Sequence, residues 1–218
     1  MPELKKKPAK KSEPELPTAG PEIGLSITSF LNKDPRRVKS LKCLIYSLEA
    51  QFYTNWSAVI IHDGPVEDHV RGELGFLEEV RERVQLIEPE ERLGDFGHPY
   101  RKLGLSMLNP RCQYVGMTND DNYYAPTYFQ FMLHALQQEK VSLALCSMVH
   151  SHRGWREISA NPRRGSVDAG SWIADRDLAL ETPWEDFSFA GDWFYFKAML
   201  DRVEGRVAVL PELLFVHN

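Results

Sequence analysis

Apolar and polar positions along this chain change period repeatedly, and the changes predict an alternation of strands and helices. Residues 23–28 alternate and read as a strand. Asp34 and Pro35 then mark a helix start, with Asp as cap and Pro at the first position. Val38, Leu41, Leu44, Ile45 and Leu48 recur at helical spacing behind them. Residues 58–61 are all apolar and read as a strand covered on both faces. The strand stops at the turn signal His62-Asp63-Gly64-Pro65. An acidic helix is expected over 66–83, a short strand over 84–87, a polar loop over 88–98, and a helix over 100–108. Residues 114–118 form a fourth strand that runs into Asn119-Asp120-Asp121-Asn122.

The order so far implies a mostly parallel central sheet flanked by helices, an α/β architecture. A helix over 126–138 and a strand over 141–149 continue it. The pattern then loosens. Residues 150–164 read as a hairpin or loop, 167–174 as a strand, 190–203 as an aromatic-rich helix and 207–210 as a last strand, with 215–218 returning near the sheet.

Composition bounds the partners. With 218 residues, 43% hydrophobic and 26% charged, the chain is ordinary globular material. Residues 1–20 are basic and proline-bearing and lack an apolar run, so they read as a flexible tail, or as a basic arm for an anionic partner. Residues 21–218 read as one domain, with a nucleotide-binding half over 21–125 and an acceptor-side half over 126–218. A net charge of −5 argues against nucleic acid as a partner. No transmembrane segment or secretory signal is expected, and three scattered cysteines, Cys43, Cys112 and Cys146, suit reduced core thiols and a cytoplasmic setting.

In open parallel sheets, ligands sit beyond the carboxyl ends of the strands. That places Thr28 and Ser29, Asp63, and Asp120 with Asp121 along one edge. Adjacent carboxylates repel unless a cation joins them, and a hard divalent ion is a natural partner. A solvated turn also favours Asn and Asp.

The segment 25–32, the helix and turn 41–56 ending in Thr54-Asn55-Trp56, Ile60-Ile61-His62-Asp63-Gly64, and Tyr114 through Pro126 together resemble the family 2 glycosyltransferases. The resemblance implies a GT-A fold, a nucleotide-sugar donor such as a UDP-sugar, a glycan or other hydroxyl acceptor, and Mn²⁺ or Mg²⁺. By that resemblance Thr28, Ser29 and Asp63 hold the nucleotide, Asp120 faces the ribose or sugar, and Asp121 binds the metal. Arg101 matches a region that helps hold the donor, although Pro99-Tyr100-Arg101-Lys102 departs from the usual pattern. His62 stands where the family has the first Asp of Asp-Asp-Gly. Val167 to Trp172 is similar to the strand near the sugar. Phe189-Ala190-Gly191-Asp192-Trp193 looks like the catalytic-base motif, with Gly191 where a Glu often stands. Asp192 is then the base that takes the acceptor proton in an inverting transfer. As a helix cap alone it would stabilise by about 1 kcal/mol.

His217 is a second metal candidate, as a late His is in several GT-A enzymes, and otherwise an exposed residue near the terminus. His98, His150 and His152 lie in polar stretches that could line the site. Two other functions compete. A sugar nucleotidyltransferase needs a glycine-rich basic loop after the first strand, which 29–37 lacks. A degenerate nucleotide- or carbohydrate-binding module would explain His62 and Gly191. The short stretch after Asp192 implies a small acceptor side, completed by a partner or, in a homodimer, by a second copy.

Overall fold

The structure is a computed structural model, and it describes residues 17, 20–32, 34 and 36–218. The expected basic tail therefore lies outside the described residues except for Pro17 and Gly20, as does Pro35 at the head of the first helix.

Strand β1 (Ile23–Ser29) leads to helix α1 (Arg36–Glu49), β2 (Trp56–His62), the single-turn helix α2 (Asp68–Arg71), β3 (Val84–Ile87), α3 (His98–Met107) and β4 (Tyr114–Asn119). Then come β5 (Tyr123–Tyr124), α4 (Tyr128–Glu139), β6 (Leu143–His150), β7 (Arg156–Ile158), β8 (Trp172–Asp175), α5 (Arg176–Glu181), α6 (Gly191–Arg202) and β9 (Ala208–His217). One mixed sheet runs β3-β2-β1-β4-β8-β6-β9-β5, with β7 hanging on β6.

The sheet is parallel from β3 to β4. The other half departs from the mostly parallel expectation. Strand β8 inserts antiparallel to both β4 and β6, while β9 pairs parallel with β6. Alternation within β2 divides the core. Ala58 and Ile60 pack on one face with Leu41, Leu44, Phe129 and Met132 from α1 and α4. Val59 and Ile61 pack on the other with Leu105, Tyr195 and Phe196 from α3 and α6. Both faces of the central strands are thus buried, which is why their sequences read as continuous apolar runs.

Four local expectations change. The helix expected over 66–83 is broken into α2 and a 3₁₀ stretch, Leu74–Val80. The break falls at Gly72, with Gly75 inside the 3₁₀ stretch, and glycine is about 1 kcal/mol poorer than alanine in an α-helix. The strand expected over 167–174 begins only at Trp172. Asp168 instead accepts a hydrogen bond from the Gly170 amide while Ser171 closes a capping box, so a 3₁₀ turn forms first. The last strand is longer than expected and runs to His217. It absorbs Pro211 and Glu212 at an irregularity where the partner of Cys146 is Leu210 and that of Ser147 is Leu213, the kind of bulge in which a proline is tolerated. Helix α5, capped by the Asp175 carboxylate on the Asp177 amide, and the two-residue β5 were not expected. Residues 150–164 do turn back as a hairpin, with β7 antiparallel to β6. Among the described residues no helix is long and apolar enough to cross a membrane.

Leu44 is fully buried between α1 and the sheet. Leu44→Ala should lower unfolding free energy by about 2–5 kcal/mol, measured by urea denaturation.

Candidate active site

The carboxyl ends of β1, β2 and β4 open into a cleft of about 1040 Å³, whose opposite wall comes from β6, the 165–168 segment, α6 and the end of β9. Parallel register brings the tips together: Thr28 pairs with Asn119, and Ser29 with His62. Every residue expected at the site lines this cleft: Thr28, Ser29, Asp63, Arg101, Asp120, Asp121, Asp192 and His217.

Their engagements differ. Asp120 is 1% exposed. Its Oδ2 accepts from the Ser29 hydroxyl at 2.7 Å and the Phe30 amide at 3.2 Å, and its Oδ1 from Arg37 Nη1 at 2.7 Å. Burial raises the Asp120 pKa, and the Arg37 charge opposes that rise. Arg37 also reaches Asp121 Oδ2 at 3.4 Å. The cation required by the paired carboxylates is thus supplied, in this state, by the first turn of α1. Asp121 is the more open of the two carboxylates.

Asp63 fastens a loop. Its carboxylate accepts from the Leu93 amide at 2.8 Å and the Gly94 amide at 3.1 Å, and lies 3.4 Å from Arg92 Nε. Gly94, Asp95, Phe96 and Gly97 then run consecutively at positive φ (71°, 46°, 57° and 75°). Asp95 and Phe96 bear side chains in a region L-residues avoid, a strain held by the surroundings. Gly97 has no alternative: a Cβ there would meet Thr28 Cγ2 at 2.6 Å. Thr28 Oγ1 is buried with no partner among the described residues.

His62 is fully buried, and both its nitrogens are used: the Leu31 amide donates to Nε2 at 2.9 Å, and Nδ1 lies 2.7 Å from the Gly64 carbonyl. Only the tautomer with a proton on Nδ1 satisfies both. His62 therefore ties the β1 and β2 tips together, where it replaces a carboxylate of the resembled pattern.

Asp192 stands in the first turn of α6, where the helix dipole favours a negative charge. Its Oδ1 is buried without a hydrogen-bond partner among the described residues, 3.5 Å from Arg101 Nε and 3.8 Å from His98 Nδ1. Arg101 donates to Asn119 Oδ1 at 2.8 Å, so it joins the β4 tip to the α6 terminus, and its Nη1 is also unpartnered. Burial lowers the His98 pKa, with the Arg101 charge adding to it. The glycine before Asp192 has a steric reason: a Cβ at Gly191 would meet the Asp186 carbonyl oxygen at 2.4 Å and His98 Nε2 at 3.0 Å.

His217 lies beside Asp168, with Nε2 3.6 Å from Oδ2, and its ring stacks on His150 at 3.9 Å. Burial raises the Asp168 pKa, the nearby Asp192 charge adds to the rise, and His217 opposes it. Burial, then His217, His152 and Arg153, push the His150 pKa down to about 4.

The sequence reading missed Arg37, the Asp63-anchored loop and the individual role of Asp168. Arg37 could have been found as one of three cations, with Lys33 and Arg36, that follow in sequence the ligand-side end of β1. Asp168 carries no such signal, because His217 reaches it only where β9 continues past Pro211.

Solved structures resemble this one over nearly its whole length. S. aureus TarS 1-349 matches with a TM-score of 0.69 at 13% identity, covering 90% of this chain and 60% of that one. Its complex with UDP matches with a TM-score of 0.69 at 14% identity, covering 89% and 60%. The mannosyltransferase PcManGT from Pyrobaculum calidifontis, in complex with GDP-Man and Mn²⁺, matches with a TM-score of 0.66 at 13% identity, covering 94% and 60%. The chain has the GT-A fold. It spans about 60% of the length of these GT-A proteins. No protein-family model and no curated protein matches it.

Two predictions follow from this geometry. Gly191→Ala should cost about 1–3 kcal/mol by overpacking, read by thermal unfolding. His150 is held below its ordinary pKa, so the unfolded chain binds the proton first and stability should fall as pH drops from about 6.5 towards 4. In His150→Gln that loss should be smaller in a pH series of urea denaturations.

Proposed function

We propose that this GT-A domain is an inverting, metal-dependent glycosyltransferase that moves a sugar from a nucleotide-sugar, a UDP-sugar above all, to an acceptor hydroxyl. The observation that carries this reading is Asp192. Its carboxylate stands at a helix N-terminus and lines the same cleft as the strand tips of a GT-A sheet, with Oδ1 buried 3.5 Å from Arg101 Nε and without a hydrogen bond among the described residues. Support for the donor class comes from neighbours solved with UDP, with UDP-GlcNAc, and with GDP-Man and Mn²⁺.

The roles proposed for this chain follow from its contacts. Thr28, Ser29 and Asp63 shape the nucleotide end, Asp63 by pinning residues 93 and 94 and Thr28 by offering an unsatisfied hydroxyl. Asp120 positions Arg37 and the β1 tip rather than leaving its oxygens free for a ribose. Arg101 offers Nη1, unpartnered among the described residues, to the donor, while its Nε donates to His98 Nδ1 and places its charge 3.5 Å from Asp192.

Asp121 and His217 are the proposed metal contacts. They fit in kind, a carboxylate and an imidazole lining one cleft, provided Arg37 releases Asp121. A bound Mn²⁺ or Mg²⁺ would neutralise the departing nucleoside diphosphate as a Lewis acid. The acceptor hydroxyl loses its proton to Asp192 as its oxygen bonds to the anomeric carbon. The bond from that carbon to the diphosphate oxygen breaks on the opposite face, so the centre inverts.

Asp192→Asn should lower turnover by about 10²–10⁴-fold, the usual worth of general-base catalysis, with UDP affinity retained. Donor turnover at the wild-type rate in that variant would remove Asp192 from the mechanism. UDP binding with no turnover by the wild-type chain on any UDP-, GDP- or TDP-sugar would identify a binding module instead. Asp121→Ala should lose the Mn²⁺-dependent part of the thermal shift produced by UDP.

A further inference from the structure

Two of the seven histidines sit side by side at the ends of neighbouring strands. His150 ends β6, His217 ends β9, and the parallel register pairs them directly. Their rings stack at 3.9 Å with 14° between planes, and His152 lies across both. Asp168 arrives from a third direction, fixed by its capping box with Ser171. Donor atoms from His150, Asp168 and His217 all lie within 4.8 Å of one another.

Ordinary hydrogen bonding does not account for this cluster. Among the described residues, neither imidazole has a side-chain hydrogen bond, and Nδ1 of each is buried without a partner. Asp168 uses Oδ1 on the Gly170 amide, and its Oδ2 points at His217 from 3.6 Å. Buried polar groups without partners cost free energy. Two imidazole nitrogens and one carboxylate oxygen are a common ligand set for transition metals, and three protein ligands leave positions open for substrate or water. Ligands of a tetrahedral ion at 2.0–2.1 Å stand about 3.3 Å apart, close to the His217–Asp168 separation.

We propose that His150, Asp168 and His217 form a divalent transition-metal site that the protein loads by itself, without nucleotide. This goes beyond the transferase reading, in which the ion meets the chain through Asp121 and His217. His217 is common to both, and Asp121 then serves the donor complex rather than the resident ion. The imidazoles favour ions of the zinc and cobalt kind over magnesium.

The test uses the chelator-treated full chain and Co²⁺, Zn²⁺ or Mg²⁺ alone, by calorimetry and, for Co²⁺, by visible absorption. One equivalent of Co²⁺ or Zn²⁺ should bind, and Mg²⁺ far more weakly. Loss of an outer hydrogen bond to a metal ligand already costs about 10–100-fold in affinity. His150→Ala and Asp168→Asn should therefore each weaken binding by more than about 100-fold. Asp121→Ala should leave it unchanged. His150→Gln, checked for a wild-type melting transition, guards against misfolding and should also lose the ion. Absence of stoichiometric binding without nucleotide overturns the site, as does binding that survives at His150 and Asp168 but fails at Asp121. Turnover in Asp192→Asn reports on the transferase reading separately.

Discussion

Asp120 is a carboxylate taken almost wholly out of water, and the geometry of the cleft depends on how that charge is satisfied. Removing an ion from water costs several kcal/mol unless partners replace its hydration. Ser29 and the Phe30 amide hold one oxygen, and Arg37 holds the other. These contacts tie the tip of β1 to that of β4 and bring the first turn of α1 over both. Asp121, the next residue, stays partly open because Arg37 spends its closer contact on Asp120.

The neighbouring tips are closed by the same principle with different groups. His62 joins β2 to the chain after β1 through Nε2, which accepts from the Leu31 amide, and braces its own turn through Nδ1 on the Gly64 carbonyl. Asp63 uses a carboxylate to pin the start of a loop whose backbone keeps positive φ for four residues. Arg101, from α3, reaches Asn119 on one side and Asp192 on the other. Each is a buried polar group with more than one partner on the β1–β4 side of the cleft. The β6–β9 side differs. There Asp168, Asp192, His150 and His217 stand close together with several atoms unpartnered. Buried polar atoms without partners among the described residues, here and at Thr28 Oγ1 and Arg101 Nη1 across the cleft, mark where a ligand would contribute most.

The departures from the resembled pattern have local causes. His62 supplies an acceptor and a donor at a point where an aspartate could only accept. Gly191 is required because Asp186 and His98 occupy the space any side chain would need. His62 answers to hydrogen bonding and Gly191 to packing in this chain.

Much of the architecture was legible because it follows from period. Alternating or continuous apolar runs marked β1, β2 and β4, helical spacing marked α1, and strand-helix alternation placed the ligand edge at Thr28, Asp63 and Asp120-Asp121. What the chain alone did not determine were contacts between residues far apart in sequence. Arg37 meets Asp120 across 83 positions, and His217 stacks on His150 only because β9 absorbs Pro211 and continues beside β6. The expected helix over 66–83 breaks locally, at Gly72, and continues past Gly75 only as a 3₁₀ stretch. The antiparallel insertion of β8 was invisible, since strand direction is set by how the chain returns to the sheet and not by hydrophobic period. Residue type and spacing thus chose the elements and their inward faces. Register and burial, which exist only once the sheet has closed, decided which charges face one another.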